Sequence, residues 1–189
     1  AVQVRHWLSA SGNQDTIRLG AVVTEREEVA DPMSGQFAIL PYLGLDAIEP
    51  GTGEILAART AAEQTIRSRS RVFREGDVLY GRLRAYLNKV VYIDSRIPLG
   101  TCSGEFYVLR ADTAMVHPRF LQWLLLSDEM VAYVKLRLAG ATHPRLALED
   151  LLEYRVVLPP LERQLQAIRV LDEAAALRQQ LRSTLVSLP

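Results

Sequence analysis

ALEDLLEYRVVLPPLERQLQAI, residues 147–168, changes structural character three times in a short run. ALEDLLEY (147–154) reads as a helical turn. RVVLP (155–159) reads as a short strand. Pro159–Pro160 ends it, because proline fixes its own backbone and cannot donate to a ladder. From Leu161 to Leu188 one helical pattern then runs without Gly or Pro. Its stripe is Leu171, Ala174, Leu177 (with Arg178 beside it), Leu181, Leu185 and Leu188, close to a 3.5-residue period. A helix of that length spans roughly 40 Å at ~1.5 Å per residue. Two readings stay open from periodicity alone. The helix protrudes and takes a helical partner, or it packs back on its own domain.

Upstream the pattern is helical, then β. HPRFLQWLLLSDEMVAYVKLRL (117–138) has apolar residues at helical spacing, with a break and a fresh N-cap expected near Ser127–Asp128. AGATHPRL (139–146) reads as a loop. KVVYID (89–94) and GEFYVLRA (104–111) read as strands, and VLYGRLRAYL (78–87) as another after an EGD turn (75–77). PMSGQFAILPYLGLDAIEPGTGEIL (32–56) alternates short apolar runs with Gly and Pro, which suggests strands joined by turns. IRLGAVVT (17–24) suits a strand or a short helix. The expected fold class is α+β. A mixed, mainly β domain with packed helices (1–160) precedes a long protruding C-terminal helix (161–189).

The chain has 189 residues, 49% hydrophobic and 23% charged, an ordinary balance for a globular protein. No apolar run approaches the ~18 residues of a membrane span. The N-terminus lacks the basic-then-apolar layout of a signal peptide. It begins with Ala1, which suggests an excised or processed segment. The single cysteine, Cys102, excludes an internal disulfide framework and fits a reducing, cytoplasmic setting.

Chemistry is sparse. His6, His117 and His143 share no ligand spacing with Cys102, so no metal is expected. There is no GxSxG, no P-loop and no dinucleotide-binding turn. No cofactor is expected. Ser103 and His143 with an acid would need a chance meeting in space to form a triad. Cys102 reads as a small buried apolar residue. A non-enzymatic role follows as the expectation.

Charge is zero overall but unevenly placed. Residues 1–58 carry net −5, residues 59–96 net +5, and residues 97–189 net zero. GDVLYGRLRAYLNK (76–89) holds Arg82, Arg84 and Lys89. On a strand, Arg82 and Arg84 would share one face with Tyr80 and Tyr86. Arg67, Arg69 and Arg71 also alternate, which suits either a nucleic-acid face or an edge strand protected by charge. Clustered Arg is the electrostatic footprint of a phosphate-binding surface. Thr142, His143 and Arg145 lie in a loop rigidified by Pro144. That loop suits structure or phosphate contact more than base reading.

Three stretches together resemble one family. GDVLYGRLRAYLNKV (76–90), GTCSGEFYVLR (100–110) and GATHPRLALEDLLEYRVVLPPLERQLQAI (140–168) follow, in order and spacing, the target-recognition domains of specificity subunits in type I restriction-modification systems. Ala85 stands where the family often has Pro, Gly104 where it often has Thr, and Arg163 where a second acid is common. Typical subunits carry two recognition domains and two long helices, and this chain has one of each. It is a half-subunit, a fragment, or the recognition part of a fused methyltransferase-nuclease. A module that binds other proteins and not DNA is the further alternative.

The resemblance implies a DNA-recognition subunit that reads one half-site of a split target. It implies double-stranded DNA, a methyltransferase subunit and the restriction subunit behind it as partners. It implies that the cations of 76–89 and the Arg run before them track DNA phosphates, and it places the 142–145 loop in the family's common scaffold; the candidate DNA-binding residues are then Arg82, Arg84, Lys89, Tyr86, Tyr80, Arg67, Arg69, Arg71, Thr142, His143 and Arg145. It makes Leu171, Ala174, Leu177, Leu181, Leu185 and Leu188 the seam of a homodimer whose helices set the half-site spacing.

Overall fold

The computed structural model describes residues 16–66, 68–138 and 142–186. In chain order its strands are β1 (Ile17–Arg18), β2 (Val23–Glu25), β3 (Val29–Ala30), β4 (Pro41–Leu43), β5 (Arg59–Thr60) and β6 (Ser70–Arg74). There follow β7 (Val78–Gly81), β8 (Val90–Tyr92), β9 (Leu99–Cys102), β10 (Phe106–Ala111) and β11 (Arg155–Val156). The helices are α1 (Ala61–Gln64), α2 (Pro118–Leu125), α3 (Asp128–Arg137), α4 (Leu148–Leu152) and α5 (Leu161–Val186). The protein is α+β, as its sequence pattern suggests.

Two larger sheets form. One is antiparallel in the order β2-β10-β7-β8. The other runs β3-β6-β9-β4-β5, antiparallel except for the parallel β4–β9 pair. Strands β7 and β10 explain how the layers meet. Successive side chains on a strand point to opposite faces. Val78 and Tyr80 of β7, with Tyr107 and Leu109 of β10, join a core that includes α2 and α3. Leu79, Phe106 and Val108 point the other way, into a core shared with Leu43 and Phe73 of the second sheet. Both faces are covered, so these strands read as unbroken apolar runs and not as alternation. Gly100 of β9 permits close approach. A Cβ there would lie against the Phe73 ring and 2.5 Å from the Pro41 carbonyl oxygen.

Helix α2 starts at His117, whose Nδ1 accepts from Arg119 N at 3.1 Å, with Pro118 at the first helical position. Burial depresses the His117 pKa. The expected break at Ser127 is present. Its Oγ accepts from Met130 N at 3.3 Å and opens α3. Phe120, Leu121, Trp123, Leu124 and Leu125 of α2 are buried. Truncating Phe120 to Ala would cost about 3–5 kcal/mol by transfer and cavity terms.

The long helix packs back on the domain along its first half and projects from it along its second. Its first half rests on the domain through Gln164, Ala167, Ile168, Leu171 and Ala175. Its second half is exposed, apart from an ion pair between Arg182 and Glu49 at 3.0 Å. The seam read from sequence therefore divides. Leu171 packs on the core, whereas Ala174, Leu177, Leu181 and Leu185 lie exposed. With Val170 the exposed residues make a continuous apolar stripe, rotated away from the packed face. Leu188 lies outside the described residues.

Two strand expectations need correction. Residues 32–56 contain one short strand, β4, with 3-10 turns and an isolated Ile48–Ile55 bridge around it. The strand expected over 78–87 ends at Gly81, and a 3-10 turn at Ala85–Leu87 replaces its second half.

Candidate nucleic-acid interface

The chain leaves β7 at Gly81 because its backbone finds partners in a distant loop. Arg84 N donates to Pro144 O at 2.8 Å, and Leu146 N donates to Arg82 O at 3.0 Å. An isolated antiparallel bridge joins Leu83 to Arg145. Residues 82–89 and 142–146 thus form one junction. Arg84, Asn88 and His143 all adopt positive φ there, at 49°, 53° and 52°. Asn and His tolerate that region, but Arg is uncommon in it. Non-glycine residues held in such conformations cluster at functional sites.

This path overturns the shared strand face of Tyr80, Arg82, Arg84 and Tyr86. Tyr80 alone of the four is in β7, and it is 1% exposed, with no partner for its hydroxyl among the described residues. Burial pushes its phenol pKa up. A duplex cannot reach it in this conformation. Tyr86 sits on the 3-10 turn and is exposed. Arg84 is exposed too. Lys89 is half-buried, and its Nζ donates to Leu45 O at 2.6 Å.

Of the alternating Arg67, Arg69 and Arg71, the two described residues do not share a strand face. Arg71 alone of the described pair is on β6, where it pairs with Glu25 at 3.2 Å. Arg69 precedes the strand and is exposed. Arg67 lies outside the described residues. Burial pushes the Glu25 carboxyl pKa up, with Arg71 opposing.

The positive block is also less free than its net charge implies. Arg71, Arg74, Arg82 and Arg96 each pair with an acid. Glu25 and Glu28, which take two of them, come from the acidic 1–58 block. Part of the charge asymmetry is therefore complementarity between two segments that pack together.

At the junction, one carboxylate organises the cations. Glu105 accepts from Arg145 Nε at 3.0 Å and from Arg145 Nη2 at 2.8 Å. It also pairs with Arg82 Nε at 3.4 Å. Arg82 in turn lies over the Tyr107 ring, 5.6 Å from its centroid. Tyr107 is anchored by its hydroxyl, which donates to Leu146 O at 2.8 Å. The Arg145 guanidinium holds the Glu105 carboxyl below its usual range, and burial opposes it. Thr142, His143 and Arg145 are exposed on the loop. Sequence reading missed Glu105 and Tyr107. Their partners lie tens of residues away, and no local spacing announces them.

A second polar cluster fixes α5. Gln164 Oε1 accepts from His117 N at 2.8 Å, and its Nε2 donates to Met115 O and Pro159 O at 2.9 and 2.8 Å. Asp172 Oδ1 accepts from Trp123 Nε1 at 2.8 Å and Arg119 Nε at 2.9 Å. Beside it lies a cleft of about 480 Å³, lined in part by Arg119, Trp123 and Asp172. Those three groups are paired with one another. Burial pushes the Cys102 thiol pKa up and so disfavours the nucleophilic thiolate. Among the described residues, no three His, Cys, Asp or Glu side chains gather as a metal would require. No described helix is long and apolar enough to cross a membrane.

No family model matches the chain. It is similar in sequence to two curated proteins. One is the type I restriction enzyme HindI specificity subunit of Haemophilus influenzae, 27% identical over 120 residues, covering 61% of this chain and 26% of that protein. The other is the EcoDI specificity subunit of Escherichia coli, 26% identical over 155 residues, covering 79% of this chain and 34% of that protein. The fold is similar to the crystal structure of the HsdS subunit from Thermoanaerobacter tengcongensis. That match has a TM-score of 0.72 at 27% identity, over 92% of this chain and 44% of that one. The chain therefore resembles type I specificity subunits in both sequence and fold, and spans less than half the length of each of these relatives.

Proposed function

We propose that this chain is a DNA-recognition unit of a type I restriction-modification system. It reads one half of a split target and is not itself an enzyme. The observation that carries this reading is the junction of 82–89 with 142–146. It brings Arg82, Arg84 and Arg145 together from two segments, with Arg84 and Arg145 exposed and Arg82 half-buried. Exposed cations bind phosphate by releasing counterions, so affinity should fall steeply with salt. The likeness to specificity subunits supports the same reading.

The two parts divide the work at about residue 160. The domain before it contacts DNA. The exposed stripe of α5 pairs with a second copy, which fixes the separation of two recognition surfaces and docks the methyltransferase subunits. Two-fold pairing would make the target a palindrome with a neutral spacer. The whole assembly would work in the cytoplasm, where its DNA lies.

The test is a fluorescence-anisotropy titration with random-sequence duplex over a range of salt. Wild type should bind with a steep inverse salt dependence. An Arg82→Ala/Arg84→Ala/Arg145→Ala variant should bind more weakly, and its slope of log K against log salt should be shallower by about 0.9 for each phosphate it no longer neutralises. Absence of binding by wild type at low salt would overturn the DNA reading. In a parallel sedimentation experiment, Leu177→Asp/Leu181→Asp should convert a dimer into a monomer. An unchanged mass would remove the pairing role of the stripe.

A further inference from the structure

Arg145 presents its guanidinium in an arrangement suited to more than phosphate binding. The group has two hydrogen-bonding edges. One edge, Nε with Nη2, is occupied by both oxygens of Glu105 at 2.8–3.1 Å. The other edge, Nη1 with the second hydrogen of Nη2, has no partner among the described residues. The side chain is 51% exposed. A carboxylate bound along one edge fixes the guanidinium plane and leaves the other edge outward in a set orientation. That outward fork matches the O6 and N7 acceptors of guanine in the major groove.

The same carboxylate weakens the case for phosphate at this position. It brings negative charge within 2.8 Å of the guanidinium, and a phosphate would have to approach beside it. Arg84, exposed and without a carboxylate partner among the described residues, is the better phosphate ligand. The support beneath the pair is firm. Glu105 N donates to Ser103 Oγ at 3.2 Å, and Arg82 N donates to Glu105 O at 2.8 Å. The Leu83–Arg145 bridge holds the loop that carries Arg145.

We infer that Arg145 is a base-reading residue for guanine and that Glu105 is its positioning residue. This rests on the DNA-recognition reading above and adds the base and the atoms that read it. Arg145 is thereby assigned to specificity, where its loop suggested structure or phosphate contact.

The experiment is selection from a random duplex library, with the full chain and its Arg145→Ala, Arg145→Lys and Glu105→Gln variants. Thermal unfolding of each variant checks that it is folded. Wild type should enrich a site with a G·C pair at one or more positions. Arg145→Ala should still bind duplex, but its guanine preference at one position should fall by about 5- to 150-fold, the range for a bidentate base contact. Arg145→Lys keeps the charge and loses the fork, so it should lose most of that preference while keeping non-specific affinity. Glu105→Gln should bind non-specific duplex more tightly and discriminate guanine less. A merely structural role for Glu105 would not move those two readouts in opposite directions. If Arg145→Ala selects the same profile as wild type with uniformly lower affinity, Arg145 contacts phosphate and the inference is wrong. If wild type enriches no duplex at all, the DNA-recognition reading fails, and the inference with it.

Discussion

Two arginines in this protein pair with carboxylates through the same two nitrogens, Nε and Nη2, and differ in what is left over. Arg119 gives Nε and Nη2 to Asp172 Oδ1, gives Nη1 to Gln122 Oε1, and lies over the Trp123 ring at 5.1 Å. Every nitrogen is used inward, at the root of α5. Arg145 gives one edge to Glu105 and leaves the other in solvent. The chemistry is shared, and the difference lies in what remains unsatisfied. A guanidinium engaged at each of its three nitrogens fixes structure. One with a free, oriented edge is available to a ligand.

The root of α5 should accordingly dominate stability. Gln164→Leu would leave His117 N, Met115 O and Pro159 O without their partner in a buried site. Loss of about 3 kcal/mol is expected, since each unmet buried group costs about 1–3 kcal/mol and some rearrangement will recover part. Urea unfolding should show a lower midpoint at an unchanged slope. A loss below about 1 kcal/mol would mean that the root is not the rigid element described here.

Asp172→Ala comes next. It strips the acceptor from Trp123 Nε1 and from Arg119. Because Asp172 is partly exposed, water takes up some of the loss, and about 1–2 kcal/mol is expected. The same urea experiment measures it. If Asp172→Ala proved as costly as Gln164→Leu, the cluster would be acting as one cooperative network.

The smallest effect is a contrast of signs. Arg145 holds the folded Glu105 pKa below its unfolded value. Its contribution is present above the ordinary Glu range, ~4.3, and is lost as pH falls through the folded pKa. Burial raises the folded Glu25 pKa. Its contribution is present below ~4.3 and is lost as pH rises through the folded pKa. Relative to wild type, Glu105→Gln should therefore become less stable from about pH 4 to 7, and Glu25→Gln more stable. Unfolding midpoints across that range give both signs. Parallel trends would show that the two carboxylates sit in like environments.

What could be read in the sequence was what short-range chemistry dictates. The N-cap at Ser127, the pair α2–α3 and the long helix after Pro159–Pro160 follow from periodicity and capping within a few residues. The end of β7 was illegible because its cause is sixty residues away. GRLRAYL looks like a strand, yet Arg82 and Arg84 bond to the backbone of 144–146 and turn the chain. The packed face of α5 was not legible for a similar reason. Its heptad-like stripe is the stronger local signal, while the face that docks carries Gln164, a polar residue buried where two distant backbone groups, His117 N and Met115 O, meet the nearby Pro159 O. The stripe Leu177, Leu181 and Leu185 was legible as apolar, and its exposure agrees with the protruding helix expected there.

The comparison of the two arginines is tested most directly by measuring DNA binding and unfolding side by side. Arg84→Ala/Arg145→Ala and Arg119→Ala would each be titrated with random-sequence duplex and then unfolded in urea. The account predicts that the first variant binds duplex more weakly, with a shallower salt slope, and loses only the small stabilisation of the Glu105–Arg145 pair. It predicts that the second keeps binding and loses stability. Equal loss of DNA binding in both, or full binding by the first, would contradict the assignment of the 82–89/142–146 junction as the DNA surface.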